Sequence, residues 1–268
     1  MLYDFLNNLF VIYFILVGFM ESDFVWYILA GFVAQIIDGT LGMAYGVSAS
    51  TLLASVGLPP AAISATVHAA ECFTTGASAL SHHSFGNIDR PLFRRLIVPG
   101  IIGAVVGAYI LSELPGDLVK PYVAAYLLVI GALIFYKSFR TLQTVAFEDA
   151  RVKPLAFTGA LFDAIGGGGW GPIVTSNLVA RGLPVRQTIG SVNAAEFFIT
   201  LASSITFIVT IGLSHWSVIA GLALGGVLAA PIGAWACKHV PAKPLMRAVG
   251  ILVILTSLRT LAKALHWI

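Results

Sequence analysis

The sequence predicts an all-α polytopic membrane protein that is built from two related halves of opposite orientation. Three observations support this prediction: the apolar composition, an internal repeat, and the different distribution of basic loops in the two halves. Of the 268 residues, 58% are hydrophobic and only 10% are charged, whereas about a quarter of the residues in a soluble chain are charged. The composition therefore excludes an ordinary soluble domain, and the net charge of +3 gives no indication of nucleic-acid binding.

The internal repeat is found when the chain is aligned with itself at an offset of 125 positions. Residues 32–75 then match residues 157–200 without a gap, which is the signature of a duplicated structural unit. The matched polar positions are three pairs: Asp38 with Asp163, His68 with Asn193, and Glu71 with Glu196. Each half is therefore expected to fold in the same way.

Each half contains four apolar segments in the same order. Glycines interrupt the first segment, at 24–56 and again at 154–181. The other three segments approach the roughly 20 apolar residues that a spanning helix needs. These predicted helices lie at 60–81, 92–112 and 118–139 in the first half, and at 185–210, 216–238 and 244–262 in the second.

The apolar N-terminal stretch predicts one more helix. It lacks the positive region and cleavage site of a signal peptide, so we expect it to be retained. The chain then divides into four parts: the N-terminal helix (1–23), the first repeat (24–142), a cytoplasmic linker (143–153) and the second repeat (154–268).

The basic loops predict that the two repeats are inverted. Arg90, Arg94 and Arg95 follow one loop of the first half, but its counterpart at 210–217 has no Lys or Arg. Because cytoplasmic loops are rich in Lys and Arg, this difference favours an inverted-topology repeat. Inversion requires an odd number of crossings in each half. The glycine-interrupted segment is therefore predicted to be a re-entrant hairpin, which leaves three transmembrane helices per half.

Four acidic residues lie inside the apolar segments. Such groups are costly in a membrane and indicate function. We interpret Glu71 and Glu196, in the middle of helices, as proton-coupling residues. Asp38 and Asp163, beside the breaks, are interpreted as structural polar groups. His68 precedes Glu71 by one helical turn and shares its face, with a purely structural buried histidine as the alternative.

The glycine breaks predict an anion site. In “DAIGGGGWGPI”, Pro172 suits the first turn of a half-helix, and a helix N-terminus presents N–H groups that bind anions. Close packing is the alternative explanation of the glycines. The candidate substrate-binding residues are Gly42, Tyr45, Gly46, Thr66, His68, Gly167, Gly168, Gly169, Trp170, Gly171, Ser191 and Asn193.

Other functions have less support in the sequence. Acids without intramembrane Lys or Arg are also compatible with a channel or a cation or proton carrier. An anion carrier is compatible with the same acids if a glutamate carries the proton. No nucleophile–base arrangement favours an enzyme. No metal or cofactor is expected, because the adjacent His82 and His83 cannot face one ligand.

The segment at 166–198, “GGGGWGPIVTSNLVARGLPVRQTIGSVNAAEFF”, resembles the TauE/SafE family of sulfite exporters and sulfonate uptake permeases. The resemblance covers nearly the whole chain. It implies a multi-pass carrier of the prokaryotic inner membrane that moves sulfite, sulfoacetate or another organosulfonate, coupled to protons. The implied site consists of glycines 166–171, Trp170, Asn193 and Glu196, with Gly42, Gly46, His68 and Glu71 from the first repeat.

The expected partners follow from this resemblance. They are a small anionic substrate and the lipid bilayer, without nucleic acid. Which anion is carried, the direction of transport and the oligomeric state stay open, with a homodimer as one arrangement. The first repeat departs from the family pattern, because “GTLGMAYG” has fewer glycines and a histidine stands at position 68.

Overall fold

The computed structural model describes residues 22–139 and 151–265, and within these ranges it is helical without a strand. The helices of the first half are α1 (Ser22–Leu41), α2 (Tyr45–Ser55), α3 (Pro60–Ser84), α4 (Arg90–Glu113) and α5 (Gly116–Lys137). The second half contains α6 (Val152–Gly166), a π-helical turn (Gly171–Thr175), α7 (Ser176–Ala180), α8 (Val185–Thr210), α9 (Trp216–Ala236) and α10 (Ala242–Ala264). The all-α prediction is confirmed, with ends within a few residues of those expected. The predicted N-terminal helix and most of the linker lie outside the described residues.

Both glycine-interrupted segments are broken helices. The first break, residues 42–44, separates α1 from α2, and the second break, residues 167–170, separates α6 from the π-helical turn. Gly42 and Gly167 occupy equivalent repeat positions and both have left-handed backbones, with φ of 65° and 68°. Only glycine adopts this conformation without a steric cost, so the helix stops at the same place in each half.

Helix packing is the same when the two halves are exchanged. Helix α3 packs against its counterpart α8, and α5 against its counterpart α10. Helix α1 packs against α9, as its counterpart α6 packs against α4. Thr75 and Thr200, which are repeat equivalents, place their hydroxyl oxygens 3.5 Å apart where α3 meets α8. The two halves therefore meet around α3 and α8.

The loops collect at two ends of the bundle. One end, called the basic end below, brings Phe85 and Asn87 to a shared cavity with Arg186 and Lys238. The opposite end joins α4 to α8 through the hydroxyls of Ser112 and Thr210, 2.8 Å apart. At this end a Cβ atom on Gly116 would also lie 3.7 Å from Pro59 Cβ.

Five of the described helices are long and apolar enough to cross a membrane. These stretches are Phe24–Leu41, Arg90–Glu113, Gly116–Lys137, Val185–Thr210 and Trp216–Ala236. Helix α3 is not among them, and it carries His68 and Glu71. Helix α1 is among them, so its length and composition would permit a crossing, whereas the sequence predicts that α1 and α2 together form a hairpin that enters and returns on one side.

Candidate functional site

The two breaks pack directly against each other. A Cβ atom on Gly46 would lie 2.9 Å from Gly168 Cα and 3.1 Å from Gly167 O. The symmetric contact places Gly171 against the first break, where its Cβ would lie 2.5 Å from Met43 Cα. Ser50 Oγ also donates a hydrogen bond to Gly167 O. These glycines are therefore required, at least in part, because two backbones approach more closely than side chains permit.

Each break is capped by the aspartate that precedes it. Asp163 Oδ1 accepts a hydrogen bond from Trp170 N at 2.9 Å. Asp38 accepts the equivalent bond from the backbone N–H of Tyr45. A carboxylate here satisfies a free N–H group and lies at the positive end of the following half-helix. These two hydrogen bonds support a structural role for both aspartates, which stays a prediction.

The buried polar side chains converge beside the breaks. His68 Nε2 on α3 lies 3.1 Å from Asp163 Oδ2 on α6, so this contact joins the two halves. A Cβ atom on Gly46 would lie 3.0 Å from Glu71 Oε1. Glu196 on α8 is 94% buried, being 6% exposed, and interacts electrostatically with Glu71 and Asp163. The structure therefore brings the four predicted acids and His68 into one cluster.

The aromatic side chain at each break donates a hydrogen bond to a backbone carbonyl of a neighbouring helix. Tyr45 donates its hydroxyl to Leu222 O at 3.1 Å. Trp170 Nε1 donates to Val192 O at 3.2 Å. Both side chains are buried, so these bonds hold each break against a neighbouring helix. Their predicted contact with substrate stays a prediction.

Three other candidates make their hydrogen bonds away from the breaks. Ser191 Oγ accepts from Asp89 N at 2.8 Å and so holds the loop before α4. Thr66 donates to Ala62 O within its own helix. Asn193 Oδ1 accepts from Ser78 Oγ at 3.0 Å. Among the described contacts, Asn193 therefore does not repeat the bond that His68 makes to the opposite aspartate.

A cavity of about 210 Å³ adjoins the first break. Its lining includes Leu41 and Met43 at the break, and Val240 at the basic end. Among the described residues that line this cavity, Lys137 is the only one with a cationic side chain. Its Nζ donates to Ser176 Oγ at 2.6 Å, which leaves two of its three N–H bonds for another acceptor.

The sequence did not single out Lys137. It ends helix α5, where lysines ordinarily extend to the membrane surface. The only sequence signal is its asymmetry, because the matching position before “SLRTL” in the second repeat is Thr256. Its approach to the break depends on the packing of α5 against the second half.

Helices long and apolar enough to cross a membrane, two apposed helix breaks and a buried polar cluster are the features expected of a membrane transporter. A family model described as “Sulfite exporter TauE/SafE” matches residues 27–260. The chain belongs to this family, as the resemblance in the sequence predicted.

Two relatives have names that agree with this class. The “Probable membrane transporter protein YtnM” of Bacillus subtilis (strain 168) is 40% identical over 247 residues, covering 89% of this chain and 82% of the relative. The “Probable membrane transporter protein ORF9” of Sinorhizobium sp is 25% identical over 244 residues, covering 88% and 92% respectively. Both names describe a transporter and not an enzyme. No solved structure matches significantly.

Proposed function

We propose that the protein moves a small sulfur-containing anion across the prokaryotic inner membrane, coupled to protons. The anion is sulfite, sulfoacetate or another organosulfonate. The observation that carries the proposal is the cavity beside the first break, where Lys137 is the lining cation. An ammonium group with free N–H bonds attracts an oxyanion most strongly where little water screens the charge. The family description supports the same substrate class.

The transport cycle is alternating access around the two breaks. A structural repeat is supported by the exchange symmetry of helix packing. Its inversion is supported by the loops, since Asn87 lies at the basic end, whereas Thr210, at the corresponding end of α8, lies at the opposite end. Inverted repeats change access when one repeat rocks against the other around a central site. Glu71 and Glu196 carry protons in this cycle.

The test is flux in proteoliposomes that contain the purified protein. Uptake of labelled sulfite and sulfoacetate is measured with and without a pH gradient. We expect uptake of at least one anion to rise with the gradient and to fall in Lys137→Ala. Lys137→Arg retains the positive charge and serves as the matched variant. Absence of anion flux in the wild type would overturn the proposal.

A cation or proton carrier is the second candidate, because the four buried carboxyls converge in one cluster. Carboxyls in a membrane interior commonly mark ion or proton paths. The same vesicles distinguish the two functions. Cation flux without anion flux favours the second, and anion flux that needs no particular cation favours the first.

A further inference from the structure

The hydrogen-bond partners of His68 determine which of its ring nitrogens carries a proton. His68 Nδ1 lies 2.8 Å from Ser64 O, a carbonyl oxygen that can only accept a hydrogen bond. Ser64 Oγ, 3.2 Å from the same nitrogen, donates its own proton to Ala164 O at 2.6 Å. Both neighbours therefore require Nδ1 to be the donor, and the proton of the neutral imidazole lies on Nδ1.

This assignment leaves Nε2 of the neutral ring as an acceptor. Nε2 lies 3.1 Å from Asp163 Oδ2, and an ionised carboxylate is also an acceptor. Two facing acceptors repel each other, so the contact needs one more proton. That proton lies either on Nε2, giving an imidazolium and a carboxylate, or on Oδ2, giving two neutral groups. We infer that His68 and Asp163 form a proton-binding site that joins the two halves of the protein.

Asp163 contacts both His68 and the second break. Asp163 Oδ1 accepts from Trp170 N at 2.9 Å while Oδ2 faces His68. Loss of the proton removes the bond between His68 and Asp163, leaves Ser64 Oγ to Ala164 O as a remaining hydrogen bond between α3 and α6, and leaves a carboxylate bound only to its own break. Proton binding therefore adds a hydrogen bond between the two halves beside the proposed substrate path.

Among the described contacts, Asp38 and Asn193 do not form the equivalent hydrogen bond. Asp38 Oδ2 is buried without a hydrogen-bond partner in the described chain, and Asn193 accepts from Ser78 instead. An amide carries no titratable proton, so Asn193 and Asp38 cannot share a proton as His68 and Asp163 can, and Asp38 is the one titratable side chain of that contact. The histidine at position 68, which departs from the second repeat, thus gives the first repeat a function that the second lacks.

Other titratable groups face this pair. They are Asp38 from α1, Glu71 from α3 itself, Glu196 from α8 and the Tyr126 hydroxyl from α5, each of which interacts electrostatically with Asp163. The pair is a third proton site beside the two proposed glutamates. Because these groups interact, the proton belongs to the pair and not to one atom.

The first experiment identifies the proton without using transport. Nitrogen NMR of the intact protein with labelled histidine gives the protonation of both ring nitrogens at neutral pH, and His68→Gln identifies the His68 signals. Infrared spectra detect a protonated carboxyl, which Asp163→Asn assigns. We expect Nδ1 to be protonated, together with either a protonated Nε2 or a protonated Asp163. An unprotonated Nδ1, or an ionised Asp163 beside an unprotonated Nε2, overturns the inference.

The second experiment tests the role of the proton in transport, and this part rests on the proposed function. Asp163→Asn preserves both bonds, because its Oδ1 accepts from Trp170 and its Nδ2 donates to neutral His68. His68→Gln places an amide donor against Asp163. Both variants remove the proton that the pair shares, so we expect the pH gradient no longer to stimulate anion uptake. His83→Gln, exposed at the end of the same helix, is the matched control that keeps the stimulation.

The two experiments fail separately. Stimulation that persists in His68→Gln overturns the coupling role, and this variant decides the question even if Asp163→Asn does not fold. Absence of any anion flux in the wild type overturns the proposed function alone. The NMR and infrared result is unaffected by that outcome, because it is measured without substrate.

Discussion

Substitution of Gly46 by alanine tests whether the two breaks are as tightly apposed as the structure indicates. The new Cβ atom would lie 2.9 Å from Gly168 Cα and 3.0 Å from Glu71 Oε1. Carbon atoms in contact are normally about 3.5–4.0 Å apart, so the breaks must separate by roughly 0.6–1.1 Å. Overpacking of this kind costs about 1–3 kcal/mol. A chain of about 150–250 residues changes its Tm by roughly 2–4 °C for each kcal/mol.

The control is Gly116→Ala. Gly116 also lies in the first turn of a helix, and the nearest atoms to its Cβ would be at 3.7 and 3.9 Å, an ordinary contact. Both substitutions gain the helix propensity of alanine, about 1 kcal/mol, so the difference between them isolates the steric effect. Thermal unfolding of the purified variants measures it. Equal Tm values for Gly46→Ala and Gly116→Ala would refute the close contact between the breaks.

Four further predictions use the same preparations. Glu196→Gln removes a buried titratable group and is expected to abolish or uncouple proton-driven uptake, whereas unchanged pH-dependent flux excludes Glu196 from the proton path. Gly169→Val displaces the Tyr126 hydroxyl, which donates to Gly168 O at 3.1 Å, and is expected to weaken anion binding; wild-type affinity would show that the glycine serves packing alone. Lys137→Ala should raise the KM for the anion, and Lys137→Arg should have a KM closer to that of the wild type. Equal KM values in the two variants would show that the positive charge of Lys137 does not bind the anion. Ala44→Gly relieves a left-handed backbone with φ of 103°, a conformation that costs a non-glycine residue about 1–2 kcal/mol. The greater entropy of glycine in the unfolded chain offsets part of this gain. We therefore expect the free energy of unfolding to rise by roughly 0.5–1 kcal/mol, measured as a higher Tm.

The repeat made the helices and their breaks predictable. An insertion-free match between halves transfers any local signal from one to the other, so the glycines of the second break also locate the weaker first break. Helix ends were predictable for the same local reason, since prolines and glycines act within one turn. The family could be predicted because its most specific motif is contiguous, from Gly166 to Phe198.

The side-chain contacts of the predicted site residues could not be predicted from the local sequence. Alignment paired His68 with Asn193 and gave both the same expected role, but only His68 reaches the aspartate of the opposite half. Ser191 accepts a hydrogen bond from Asp89 N, a contact that the sequence did not predict. A side chain on a helix has several possible neighbours, and only the angle and position of the adjacent helix select one.

The sequence by itself determined the class of protein, the duplication, the positions of the two breaks and the burial of the four acids. These properties depend on composition and local spacing. Only the tertiary structure decided that the breaks contact each other backbone to backbone, that Lys137 lines the cavity beside them, and that His68 and Asp163 share a contact. Each of these depends on atoms from different halves of the chain meeting within about 3–4 Å, and no spacing along one half specifies where the other half will lie.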